Sequence, residues 1–241
     1  MATLTRDPHT HHSPRLRPDE RIARYVAEAL GDARSVLNVG PGALSYETPA
    51  RTITSLSPPP PRPPHTQRHP TTELPFHNGQ FDGALMLSTL HQWPDTPTHL
   101  RELRRVTRGP VVILTHDPLR VRDFWLYRYA PEVLDTEALR HPPLAELTSA
   151  LGGTSTVTPV PIPLDCTDGF NEAYYGRPEL LLDPAARQPS SAWSFADDRV
   201  REHFDTTLRA DLESGTWDTE FAHLRHQPTY EGSLVLLRAT P

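Results

Sequence analysis

The chain has 241 residues and a formal charge of −6, an acidic balance with no electrostatic footprint for nucleic acid. All 24 basic residues are arginine, which excludes the lysine Schiff base of pyridoxal phosphate chemistry and the lysine of a Walker-type phosphate loop. The lone Cys166 forbids an internal disulfide, and without a signal peptide or an apolar run of membrane length the chain reads as cytoplasmic, with no membrane partner.

The length fits one domain, able to bury a core without metal or disulfide staples. Residues 1–17 are polar and read as a flexible tail; His9, His11 and His12 crowd there, but termini are usually poorly ordered. The domain proper spans 18–241. Residues 18–30 read as a helix opened by Pro18 and acids, faced by Ile22, Tyr25, Val26 and Ala29, and closed by Gly31. Tyr25 is either a core aromatic or a pocket wall, the core being favoured.

A short apolar run at 36–39 reads as a buried strand, and Gly40-Pro41-Gly42 follows it as a tight turn before a helix opening at 45–47. A strand, a glycine turn and a helix N-terminus form the arrangement with which α/β proteins hold nucleotide-like ligands. Residues 51–56 read as a second strand, leading into the proline-rich loop 57–70. Asn78-Gly79 marks a turn before a central strand over 81–87, which ends in Ser88-Thr89-Leu90-His91-Gln92-Trp93. A helix at 97–108 and a buried strand at 110–114 follow, the strand ending in Thr115-His116-Asp117-Pro118. Beyond them lie an aromatic-rich stretch at 123–129, a helix at 143–151, a strand at 157–162, a turn at 165–170, an amphipathic helix at 196–214 and a final strand at 233–238.

Three pieces together resemble the class I S-adenosylmethionine-dependent methyltransferases. They are the glycine turn at Gly40, the stretch from Leu74-Pro75-Phe76 through Phe81-Asp82 to Leu90-His91-Gln92-Trp93, and Asp165-Cys166-Thr167-Asp168-Gly169-Phe170 with Arg177-Pro178-Glu179. The resemblance covers residues 18–240. It implies a Rossmann-like α/β fold with a seven-stranded sheet whose last strand is antiparallel, substrate-side insertions within 118–230, and a small-molecule substrate. It also implies a cofactor side containing Gly40, Gly42, Leu44, Ser57 and Leu90.

That cofactor side departs from the family pattern. Leu44 stands where a third glycine is usual, Ser57 follows the second strand where an acid would accept the ribose hydroxyls, and Thr71 and Thr72 replace another acidic position. Losing a charge-assisted hydrogen bond costs about 1.5–3 kcal/mol, and overpacking at Leu44 about 1–3 kcal/mol. The substrate side keeps its polar residues. His91 is a candidate general base or a turn-capping histidine; His116-Asp117 is a second acid–base pair or an Asp-Pro turn. Asp165, Asp168, Tyr174, Tyr175 and Arg177 form a polar cluster that the resemblance places in the substrate half, where Arg177 is either a carboxylate clamp or an ion-pair partner. The histidine spacings give no recognisable zinc set, so no metal is expected.

Three functions follow, in order of preference. The first is a small-molecule enzyme of specialised metabolism that needs no methyl donor and acts by positioning and proton transfer, in a cyclisation, elimination or isomerisation. The second is a true S-adenosylmethionine-dependent O-, N- or C-methyltransferase, and the third a non-catalytic binding protein.

Overall fold

The computed structural model describes residues 17–40, 46, 51–56, 73–87, 89–93 and 95–241. The expectations for the tail at 1–16, the proline-rich loop and the positions Gly42, Leu44 and Ser57 lie outside the described residues. A central sheet runs in the order β2-β1-β3-β4-β8-β5. Its strands are β1 (Ser35–Val39), β2 (Thr52–Leu56), β3 (Gly83–Leu87), β4 (Val111–His116), β5 (Thr154–Pro159) and β8 (Leu234–Thr240). β6 (Ile162–Pro163) and β7 (Thr229–Tyr230) form a separate two-stranded ribbon.

The four strands β2, β1, β3 and β4 are parallel. β3 and β4 are buried at every residue, the near-continuous apolar run that a strand covered on both faces requires. β8 inserts antiparallel between β4 and β5, as the resemblance implies for the last strand. The sheet has six strands among the described residues where seven were expected.

Helix α1 (Glu20–Leu30) forms because Ile22, Val26 and Leu30 recur at helical spacing and Asp19 caps its start. The Asp19 carboxylate accepts the Arg21 N–H at 3.0 Å and the Thr167 N–H at 3.2 Å, which ties the helix to the 165–170 turn. Tyr25, expected in the core, is instead 36 % exposed, because the buried stripe passes through its neighbours at 22 and 26. Although Asp19 is buried, which alone would raise its pKa, hydrogen bonds from Arg21 and Thr167 pull it down to about 2. Its contribution is therefore complete above about pH 4 and lost as the pH falls toward 2. Asp19→Ala is expected to destabilise the protein by about 1–2 kcal/mol at neutral pH. The same variant should show a smaller loss than the parent between pH 4 and 2 in denaturant titrations.

The remaining helices are α2 (Thr96–Val106), α3 (Pro131–Arg140), α4 (Leu144–Leu151), α5 (Pro184–Arg187), α6 (Asp198–Ser214) and α7 (Thr216–Phe221). Two apolar cores flank the sheet. One packs Leu37, Val39 and Leu90 with Leu100 and Leu103 of α2; the other joins Leu85, Leu87 and Leu114 to α1, α3 and the 160–224 segment. No helix among the described residues is long and apolar enough to cross a membrane.

Candidate functional site

A cavity of about 140 Å³ opens beyond the carboxyl ends of β3 and β4, where open α/β sheets bind their ligands. Leu87 is the last residue of β3, and Leu114 and His116 come from the last three residues of β4. His91 reaches it from the 3-10 turn Leu90–Gln92, and Tyr46 from beyond the glycine turn. Glu137 and Arg140 project from α3, with His141 immediately after it. Asp168, Gly169 and Phe170 close one side, and residues 189–192 close another.

The lining is held by an unusually polar set of contacts for a buried place. The Tyr46 hydroxyl donates to the Asp168 carboxylate, and Gly169 N–H donates to its other oxygen at 2.8 Å. Asn171 Nδ2 donates to Glu137 at 2.6 Å, while Asn171 Oδ1 accepts from the Trp193 indole at 2.9 Å. His116 Nδ1 faces Ser233 Oγ at 2.8 Å, and His141 Nδ1 faces Thr115 Oγ1 at 3.1 Å. The His116 and His141 rings lie 5.1 Å apart.

Burial and charge set the protonation of these groups. Burial, helped by the Arg140 guanidinium, lowers His91 to about 4, so its imidazole is neutral at pH 7. Burial lowers His141 further, to about 2, with the positive charge of His116 adding to it. The carboxyls of Asp168 and Glu137 are both pushed up by burial against the hydrogen bonds they accept. His116 moves the other way from His91, above the ordinary imidazole value: burial opposes this, but the carboxylates around it outweigh burial. A site with two histidines biased toward opposite protonation states is equipped for proton transfer.

His91 and Asp168 thus share one cavity. Tyr174, Tyr175 and Arg177 do not line it. Tyr175 is fully buried, stacks on Tyr230 at 5.1 Å and donates its hydroxyl to the Gln227 carbonyl. Arg177 donates to the carbonyls of Cys166 and Ala173 at 2.9 and 2.8 Å and lies over the Tyr174 ring, so it staples the 165–177 segment to itself. The resemblance implied these three side chains in the substrate half, but the polar groups of Tyr175 and Arg177 bond backbone carbonyls of a long irregular segment. Asp165 is at the surface, paired with Arg21 at 2.6 Å.

On the cofactor side, Gly40 adopts the left-handed conformation with φ of 73°. Its N–H donates to the Leu56 carbonyl at 2.6 Å, joining the turn to the end of β2. A Cβ at Gly40 would lie 2.6 Å from Thr89 Oγ1, and that hydroxyl donates to the Val39 carbonyl. The close approach that glycine permits is therefore taken by Thr89. Leu90, expected to border a cofactor, is 1 % exposed and belongs to the core on the α2 side. Among the described residues no acid stands at the end of β2.

A sequence profile of the family described as "Methyltransferase domain" matches residues 47–113. A crystal structure of a protein described as a candidate methyltransferase from an antibiotic biosynthesis pathway of Anabaena variabilis superimposes with a TM-score of 0.75. The two are 22 % identical, with 93 % of this chain and 98 % of that chain covered. The chain has the class I methyltransferase fold.

Two further solved structures match the chain more loosely. A SAM-dependent methyltransferase from Thermotoga maritima gives a TM-score of 0.43 at 12 % identity, covering 92 % of this chain and 88 % of that one. The (4+2)-cyclase SpnF gives 0.46 at 14 % identity, covering 92 % and 80 %. No curated protein matches the sequence. Glu137, Arg140 and His141 were missed in the sequence, although Ala130-Pro131 and Arg140-His141-Pro142 carry start and stop signals for α3.

Proposed function

We propose that the protein is a small-molecule enzyme of specialised metabolism that works by proton transfer without a methyl donor. The observation that carries this reading is the cavity that His91, His116, Glu137 and Asp168 line together. His91 is the general base and Asp168 helps to define the polar wall opposite. Ser57 in place of an acid after β2 supports the absence of a donor. The Anabaena protein's description from an antibiotic pathway is in keeping with specialised metabolism.

Titration calorimetry with S-adenosylmethionine and S-adenosylhomocysteine should give a Kd weaker than about 100 μM, because two lost contacts together cost several kcal/mol. Leu44→Gly combined with Ser57→Glu should tighten binding. The proton-transfer chemistry is read with cyclohex-3-enone, whose isomerisation to the conjugated ketone needs only removal and return of protons. Micromolar binding of the unmodified protein to S-adenosylmethionine, with no isomerisation, would replace this reading by the second one.

That second reading is S-adenosylmethionine-dependent methyl transfer to a small molecule. The match to the methyltransferase profile over residues 47–113 favours it, as does the left-handed Gly40 turn at the end of β1. In that case His91 would take the proton of the methylated group, and His91→Ala would lower transfer without lowering cofactor affinity.

A further inference from the structure

Glu172 is a buried carboxylate with no arginine beside it to neutralise it among the described residues. It is 4 % exposed, in the 3-10 turn Asn171–Tyr174. One oxygen accepts the Ser233 N–H at 2.8 Å. The other has no hydrogen-bond partner among the described residues and lies 3.8 Å from His116 Nδ1. The chain makes room for it: a Cβ at Gly232 would sit 2.4 Å from the Glu172 carboxylate. Burying a carboxylate is costly unless something charged answers it, and the group in place to do so is the His116 imidazole. His116 meets Ser233 Oγ and Glu172 through Nδ1, which leaves Nε2 without a hydrogen bond from the described residues on a ring that lines the cavity.

We propose that His116 is the second catalytic group of the cavity, that its Nε2–H donates to the carbonyl oxygen of an enolisable carbonyl substrate while His91 removes the α-proton, and that Glu172 is the positioning residue that holds it ready. The assignment rests on the acid–base function above and names its substrate class. The α C–H bond breaks as its proton passes to His91, and the electron pair moves into a new C=C bond. The carbonyl oxygen gains the His116 proton to give an enol. Return of the oxygen's proton to His116 and delivery of the His91 proton to the far carbon of the conjugated system complete an isomerisation. No oxidant, reductant or co-reactant enters, and both histidines regain their starting states.

A base with the low pKa of His91 removes only an activated proton, which is why an electrophile on the carbonyl oxygen is needed. The groups around the His116 ring are Ser233, Glu172, Glu137, Asp168, His141 and Phe170. Burial opposes the imidazolium, and the acidic neighbours Glu172, Glu137 and Asp168 outweigh it.

Long-range proton–nitrogen NMR on the full chain with labelled histidine reads the protonation of each ring without any substrate. At pH 7 His116 should carry both protons and His91 one. Glu172→Gln should move the His116 midpoint down by about one pH unit or more, and Glu172→Asp should restore most of it. The alkaline limb of cyclohex-3-enone isomerisation should move with the midpoint, and His116→Gln should lower kcat about 10²-fold. A neutral His116 at pH 7, or a midpoint unmoved by Glu172→Gln, overturns the proposal even if His116→Gln does not fold. A parent that isomerises nothing sinks this assignment together with the acid–base reading. A rate that falls in His91→Ala but not in His116→Gln sinks the assignment alone.

Discussion

Replacing His91 by alanine is expected to lower cyclohex-3-enone turnover by about 10²–10⁴-fold while the protein still melts within a few degrees of the parent. His91 is half-buried at the cavity and makes no hydrogen bond with the described residues, so its removal opens a space already open to the site. The pH dependence separates the base from a structural histidine. Neutral His91 is the working form, so the rate should stay level from neutrality to about pH 4 and fall below it. Stability runs in the same direction. A histidine whose pKa drops from 6.5 to about 4 on folding binds fewer protons in the native state, so the parent loses stability as the pH falls through that window. His91→Ala should lose less over the same range. A variant that unfolds, with its folded fraction fully active, would make His91 structural.

Arg187→Ala should be the most damaging single change outside the cavity, costing about 3–5 kcal/mol. Arg187 is 5 % exposed at the end of α5 and pairs with Asp205 of α6 at 2.8 Å. Its guanidinium also lies over the rings of Trp193 and Phe204, at 5.0 and 5.2 Å. Alanine would leave a carboxylate half-buried and two aromatic faces uncovered. For a domain of this size the melting temperature should fall by roughly 6–20 °C. Arg187→Met keeps the packing volume and should cost less. The loss should also reach the cavity, because Trp193 donates to Asn171, and Asn171 in turn holds Glu137.

The parallel half of the sheet was legible because its strands are short apolar runs between glycine and proline turns. The expected buried strands at 36–39, 81–87 and 110–114 correspond to β1, β3 and β4, which adjoin in that order. The strand before the 3-10 turn begins later, at Gly83, since Phe81 makes only a single bridge to Thr107. Where the reading fell short, polarity was the reason. Tyr175 and Arg177 carry the side chains of a site, yet they bond backbone carbonyls, which a linear pattern cannot distinguish from bonding a ligand. Glu137, Arg140 and His141 reach the cavity from α3, whose weak amphipathic stripe hides it among loop residues. Glu172 shows the same limit in reverse. Nothing around it in sequence separates a surface acid from one facing His116, 56 positions away along the chain and 3.8 Å away in space.

The position of β8 bears on how the molecule comes together in time. β8 pairs with β4 across a separation of more than a hundred residues, Val111 meeting Ala239 and His116 meeting Leu234. Contacts so far apart carry a large loop-closure cost and form late and slowly. The parallel strands β1, β3 and β4 are nearer in sequence and offer an earlier nucleus. Ser233, one residue before β8, reaches His116 and Glu172 only once that strand has entered the sheet. A collapsed chain with β8 still outside would therefore bury much of its apolar surface and lack the assembled proton-transfer pair. Recovery of activity on refolding should lag behind recovery of the helical signal, with the interval set by insertion of a single strand.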